Sequence, residues 1–179
     1  MTLRIRGGDG GLAFDDLAAV YRAHRAELVR LAAFILSDKG AGEDVVQDVF
    51  ARMHARQGEL GDGGQGTHAN PLPYLHRAVV NGCRSALRRR RLVRRHAEHD
   101  SPCQPLSVEE AALLSEDRRQ VLAALAQLSA RRREVLVLRY YAGLSEAEIA
   151  ATLGISPGTV KSTAARGLAT LADALKETR

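Results

Sequence analysis

Between Ser145 and Ser156 the sequence SEAEIAATLGIS sets out two helix starts and one helix stop within twelve residues. Ser145 and Glu148 have the S-x-x-E spacing of a capping box. Gly154 supplies the tight turn that ends the first helix. Ser156 caps the second helix, and Pro157 occupies its first position, where a missing N–H costs nothing. Helix, glycine turn and helix over residues 145–175 fit a helix-turn-helix. Val160, Ala164, Leu168, Leu171 and Leu175 recur at helical spacing and are expected to face inward. Thr159, Lys161, Ser162, Thr163 and Arg166 are left on the open side. They are short hydrogen-bonding groups and cations, the inventory that reaches phosphates and base edges in a major groove. Free N–H groups at the helix start, beside Ser156, suit a phosphate as well.

The rest of the chain is also helical by pattern. Apolar residues make up 45% of the 179, but aromatics are 4% and Trp is absent, so the cores must be built from Leu, Val, Ala and Ile. That inventory suits helix packing, and no alternating run is long enough for a strand. Leu17, Val20, Tyr21, Leu28, Leu31 and Ile35 mark a first helix from Phe14 to Leu36. Gly40 and Gly42 break it. A second helix, 42–56, carries Val45, Val46, Val49, Phe50 and Met53. Residues 58–71, GELGDGGQGTHANP, have loop composition. A third helix runs from Pro71 to His96, with Leu72, Leu75, Val79, Cys83 and Ala86 as its apolar stripe. Further on, Val121, Leu122, Leu125 and Leu128 form a stripe. Ser129 is placed to cap a helix carrying Val135, Leu136, Leu138 and Tyr141. Residues 1–12 are Gly-rich and read as disordered.

Charge is distributed unevenly about a net +5. Residues 63–97 contain no acid, and seven arginines fall within 84–95. Arg84, Arg88, Arg91 and Arg95 lie at i, i+4, i+7 and i+11, on one helix face. The macrodipole favours some of this charge at a helix C-terminus. Seven arginines exceed that need, and a phosphate chain would offset their mutual repulsion. The second helix has the opposite sign: Glu43, Asp44, Gln47 and Asp48 share its outer side. Acids near a helix N-terminus are favourable in themselves. They also repel DNA, and with Val45 and Phe50 alongside they suit a protein partner. Residues 97–117 carry six acids and no Lys or Arg, and Pro102 and Pro105 oppose regular helix at their start. This stretch reads as a linker, with helix resuming near 108–114.

Three segments together resemble the extracytoplasmic-function (ECF) sigma factors of bacterial RNA polymerase. GEDVVQDVFARMHAR is similar to the core-binding helix of region 2. PYLHRAVVNGCRSALRRRR is similar to the region 2.3–2.4 helix that follows it. LSARRREVLVLRYYAGLSEAEIAATLGISPGTVKSTAARGLATL is similar to region 4, and its GTVKSTAARGLATL ending is like that of a SigE-like subgroup common in high-GC bacteria. The resemblance runs from Phe14 to Leu175 in family order.

It implies an all-α fold of two small helical domains, a σ2 bundle and a σ4 helix-turn-helix domain, joined by a flexible acidic linker. The expected boundaries are 13–96, 97–115 and 116–179. It implies a dissociable subunit of RNA polymerase with no catalytic residue of its own and no cofactor. By resemblance, Asp44, Val45, Gln47, Asp48 and Phe50 dock on the β′ clamp helices, and σ4 docks on the β flap. Tyr74, Asn81, Arg84, Arg88 and Arg91, with the 58–71 loop, read the −10 element and hold its opened strand. Ser156, Thr159, Lys161, Ser162 and Arg166 read the −35 element. An anti-sigma factor covering the docking faces is a further family expectation. Family members often carry Trp where this chain has Tyr74, Arg where it has Thr163, and a bulkier residue than Ala165.

Two promoter elements more than a helical turn apart, over ~35 Å, exceed the reach of one small domain. A tether of about 20 residues extends to ~65 Å and lets two readers span them. A helix-turn-helix regulator acting without polymerase shares only the C-terminal signal, and leaves the acidic helix and the arginine helix unexplained. His96, His99 and Cys103 have a zinc-compatible spacing, but no second ligand pair accompanies them, so no metal site is expected. GDGGQG lacks the following GK[ST] of a phosphate loop. No secretory segment or membrane-length apolar run is present, which gives a cytoplasmic reading with no membrane partner.

Overall fold

The computed structural model describes residues 3–4, 13–14, 17–60, 71–96 and 116–177. The helices are α1 (Leu17–Leu36), α2 (Lys39–Leu60), α3 (Leu72–His96), α4 (Glu116–Gln127), α5 (Ala130–Leu136), α6 (Glu146–Leu153) and α7 (Pro157–Glu177). A π-helical turn, Val137–Tyr141, continues α5. Two short strands, β1 (Leu3–Arg4) and β2 (Ala13–Phe14), pair antiparallel, so Phe14 belongs to a strand and α1 starts at Leu17. The rest of 1–12, most of the 58–71 loop and the 97–115 linker lie outside the described residues.

Helices α1, α2 and α3 form the first bundle. Leu28, Leu31 and Ile35 of α1, Val46 of α2, and Leu75, Val79, Val80 and Cys83 of α3 are fully buried. Burial pushes the Cys83 thiol up to about 12, and the nearby Glu134 carboxylate adds to the effect. Such a thiol is a packing group and a poor nucleophile.

The chain turns between α1 and α2 at Ser37 (φ 52°) and Asp38 rather than at the two glycines. Asp38 Oδ1 accepts a 2.9 Å hydrogen bond from the Ala41 N–H, which caps α2 three residues earlier than the glycine pattern indicates. Gly40 and Gly42 are therefore inside the helix. Gly42 is buried, and a Cβ there would stand 2.8 Å from the Ala33 nitrogen, so the α1 and α2 backbones touch at this point. Gly42→Ala should destabilise the protein by about 1–3 kcal/mol. Gly40→Ala is the control: its Cβ would meet only Asp38 Oδ1, at 3.7 Å. Urea unfolding of the two variants checks the contrast.

The second group is α4 to α7. Val135, Leu138, Ile149 and Val160 are fully buried, with Leu128, Leu136, Val137 and Leu153 nearly so. On α4, Ala124 is buried and Val121 is exposed, which rotates the expected stripe. Ser129 stands at the start of α5, but its side chain makes no capping bond there. On α7, Thr163 turns inward and Leu168 is 40% exposed, the reverse of the periodicity reading. Gly167 explains the shift: a Cβ there would lie 3.1 Å from Leu136 Cδ1, so Leu136 packs directly against the α7 backbone. The buried line therefore runs Val160, Thr163, Ala164 and Gly167.

The two helical groups share one contiguous apolar core. The Phe34 and Tyr141 rings meet edge to face at 4.8 Å, and Arg30 Nε donates to the Tyr141 hydroxyl at 2.8 Å. Arg133 donates to Ser37 Oγ and, at 3.1 Å, to the Leu128 carbonyl. Arg84 of α3 pairs with Glu134 of α5.

His76 of α3 is 3% exposed, and neither ring nitrogen has a hydrogen-bond partner. Its Nε2 lies 3.4 Å from Glu27 Oε1 of α1, and His24 of α1 and Glu148 of α6 also act on it. Burial lowers its pKa; the Glu27 and Glu148 carboxylates oppose this, but burial dominates. The folded state thus prefers the neutral ring, and the unfolded chain takes up the proton more readily. Stability is full above about pH 6.5, the ordinary histidine value, and is lost as pH falls below it. Urea titrations between pH 7.5 and 5.5 should show this decline, with a shallower slope for His76→Leu.

Candidate nucleic-acid interface

The α6–turn–α7 unit is built as its local chemistry dictates. The Glu148 N–H donates to Ser145 Oγ at 3.3 Å, and the Ser145 N–H donates to Glu148 Oε2 at 2.8 Å, which closes the capping box. Hydrogen bonds from the Ser145 side chain and backbone hold the Glu148 carboxyl below the usual range. Gly154 ends α6 in the left-handed region at φ 64° and ψ 43°. The Thr159 N–H donates to Ser156 Oγ at 3.1 Å, and α7 begins at Pro157. With Ile149, Ala150, Leu153, Val160 and Ala164 buried, this unit has one fixed inner face.

Its outer face presents Ser156, Thr159, Lys161, Ser162 and Arg166, all exposed. They form a connected line: Ser156 Oγ and Thr159 Oγ1 share a 2.9 Å hydrogen bond, and Ser162 Oγ donates to the Thr159 carbonyl. Arg166 Nε donates to the Ser162 carbonyl at 3.1 Å, which lays the guanidinium along the helix surface. The structure therefore brings all five expected −35 residues together. Thr163, placed on the open side by periodicity, is buried.

The α3 surface is divided. Asn81 and Arg88 are exposed and joined through Ser85, whose Oγ donates to the Asn81 carbonyl and accepts from Arg88 at 2.8 Å. Tyr74 is half-buried against the core. Arg90 is paired with Asp38 at 2.6 Å. Arg84 points into the second helical group, where Nε and Nη2 donate to the two Glu134 carboxylate oxygens at 3.1 Å each. The Arg91 side chain lies outside the described residues, as do that of His96 and all of His99 and Cys103. Among the described residues no cluster of His, Cys, Asp or Glu could hold a metal ion.

On α2, Asp44, Gln47 and Asp48 are exposed, whereas Val45 and Phe50 are core residues at 4% and 6% exposure. Val45 packs on α3 where Gly82 leaves room: a Cβ on Gly82 would lie 2.7 Å from Val45 Cγ1. The Phe50 ring meets Tyr21 edge-on at 4.9 Å. One rim of Phe50 remains available with Leu17, Tyr21, Gln47 and Ala51, in an open apolar groove of 340 Å³ between α1 and α2. The docking face is thus an acidic ridge beside an apolar groove. Sequence reasoning missed Glu134, although a signal was present: it is the lone acid in ARRREVLVLR and shares a helix face with Val135 and Leu138. None of the described helices is long and apolar enough to cross a membrane.

Comparison with known proteins accords with this arrangement. Residues 20–93 match the family model "Sigma-70 region 2", and residues 118–171 match "Sigma-70, region 4". The chain is 37% identical over 146 residues to the ECF RNA polymerase sigma factor SigL of Mycobacterium tuberculosis, covering 82% of this chain and 81% of the relative. It is 32% identical over 165 residues to the RNA polymerase sigma factor CarQ of Myxococcus xanthus, covering 92% and 90%. Among solved structures it is similar to the sigma factor RpoE of Bartonella quintana in complex with the anti-sigma factor NepR. The TM-score there is 0.63 at 28% identity, over 90% of this chain and 99% of that one. With both sigma-70 regions matched in order and a relative above 30% identity along most of its length, the chain belongs to the ECF RNA polymerase sigma factors.

Proposed function

We propose that this sigma factor directs RNA polymerase to its promoters through three faces with separate tasks. The outer face of α7, with Ser156, Thr159, Lys161, Ser162 and Arg166, reads the −35 element. The α3 surface, with Tyr74, Asn81, Arg84, Arg88, Arg91 and the 58–71 loop, takes the −10 element and its opened strand. The α2 ridge of Asp44, Gln47 and Asp48, with Phe50 at the edge of the groove, docks on the β′ clamp helices. Val45 supports that ridge from beneath. Residues 13–96 and 116–179 act as the σ2 and σ4 domains, and 97–115 is the tether between them. Sigma factors are transcription initiation factors, and in this reading the chain contributes binding and placement while the polymerase supplies the chemistry. An anti-sigma factor would act by covering the α2 ridge and groove.

The observation that carries this reading is the opposition of signs within one chain. The α2 ridge is anionic and unsuited to DNA, whereas α3 and α7 expose cations and hydrogen-bonding groups. A DNA-binding regulator acting alone has no use for the acidic ridge. The test is run-off transcription with core polymerase on genomic fragments, followed by mapping of start sites. The reading expects a defined set of starts that requires both core and this chain. Specific retention of a duplex by the chain alone, with no effect on core, would overturn it.

A further inference from the structure

We propose that the Arg84–Glu134 ion pair is a releasable latch. It holds the free chain closed across its two helical groups, and promoter engagement requires it to open. The inference deepens the reading given above and rests on it in one respect, the assignment of Arg84 to the −10 surface.

The geometry of the pair is that of a committed guanidinium. Arg84 Nε and Nη2 donate to the two carboxylate oxygens of Glu134 at 3.1 Å each, a two-pronged contact. Nη1 and Nη2 also lie 3.4 Å from the Leu153 carbonyl. The Glu134 side chain is 5% exposed. A guanidinium held in this way has no donor direction left for a phosphate or a base edge.

The place of the contact is as informative as its chemistry. Leu153 is the last residue of α6, directly before the Gly154 turn of the helix-turn-helix. The −10 surface and the −35 reader therefore touch each other in this arrangement. Promoter elements separated by more than a helical turn, over ~35 Å, cannot both be engaged while that contact stands. Opening is consequently a step in use of the protein, and it frees Arg84 at the moment a polyanion is there to take it.

The pair is also built to let go. Glu134 Oε2 lies 3.4 Å from Arg131 in its own helix, so opening leaves the carboxylate with a cation. Arg84 is already 21% exposed and moves to water on the face that carries Arg88. Neither charge is left buried without a partner, the circumstance that makes most such pairs costly to break.

The test uses the full-length chain with Cys103→Ser and one fluorophore on each helical group, at Ala55→Cys of α2 and Ala151→Cys of α6, both exposed positions. Buried Cys83 stays unlabelled. Single-molecule energy transfer then reads the closed and open fractions without polymerase. Glu134→Gln and Arg84→Gln should each raise the ratio of open to closed about tenfold, as expected for loss of a charge-assisted contact. Arg84→Glu should open the chain further, and Arg84→Glu with Glu134→Arg should recover part of the closed fraction. Circular dichroism confirms that helix content is kept; Arg84, partly exposed, is the variant least exposed to misfolding. Unchanged ratios in Arg84→Gln would overturn the latch. The −10 assignment fails separately: if Arg84→Gln opens the free chain yet melts promoters normally with core polymerase, the latch stands and Arg84 is not a −10 contact.

Discussion

Reversing both acids of the α2 ridge, Asp44→Lys with Asp48→Lys, should weaken binding to core polymerase by about a hundredfold while the chain stays folded. Both residues are exposed, so neither substitution disturbs packing. The bundle beneath them is held by Val46, Val49 and Met53, all buried, and by the Gly42 contact with α1. What changes is the sign of the surface offered to the partner. Like charges brought together at an interface cost several kcal/mol in unfavourable cases, and a pair of reversals on one ridge approaches that. Titration of labelled core polymerase with the two proteins measures the difference. Assembly at undiminished affinity would remove α2 from the docking face. DNA binding by an isolated σ4 fragment is not a substitute readout, because the ridge is not part of it.

The second large effect is expected on α7. Lys161→Ala with Arg166→Ala should reduce −35-dependent transcription by roughly tenfold to a few hundredfold, and core binding should be retained. It should also flatten the salt dependence of promoter binding by about two in the logarithmic slope, one for each lost phosphate contact. Arg166 lies along the helix against Ser162, so its loss removes no support from the core. Competition transcription at several salt concentrations distinguishes the two variant sets. The α2 reversals should fail on every promoter, whereas the α7 pair should spare promoters that depend least on the −35 element. If the α7 pair instead abolished holoenzyme assembly, the separation of tasks between the helices would be wrong.

Much of this was legible in the sequence, and the reason is locality. A capping box, a left-handed glycine and a capped proline start involve residues within four positions of one another. Ser145, Glu148, Gly154 and Ser156 behave as their spacing indicates. The −35 face followed directly, because the two caps fix where α7 begins. Rotation about a helix axis is less local. Periodicity alone assigns Leu168 to the core and Thr163 to solvent, but Leu136 packs directly over Gly167 and turns α7 away from that arrangement. Val45 and Phe50 were misplaced for a similar reason. Gly82 and Tyr21, on two other helices, provide their pockets. The contacts between the helical groups were not legible at all. Arg84 and Glu134 are 50 residues apart, Arg30 and Tyr141 are 111 apart, and nothing near either residue names its partner.

The π-helical turn at Val137–Tyr141 has a consequence for how tolerant this chain is to change in length. Such a turn accommodates one more residue than regular α-helix over the same stretch. Deleting one residue there would let the segment relax to ordinary helix, and everything after it would swing by about 100° around the axis. Tyr141 would leave Phe34 and Arg30, and the helix-turn-helix would face a different azimuth relative to α1. That extra residue therefore works as an angular setting, and single-residue indels should be far less acceptable between 137 and 141 than anywhere in the tether.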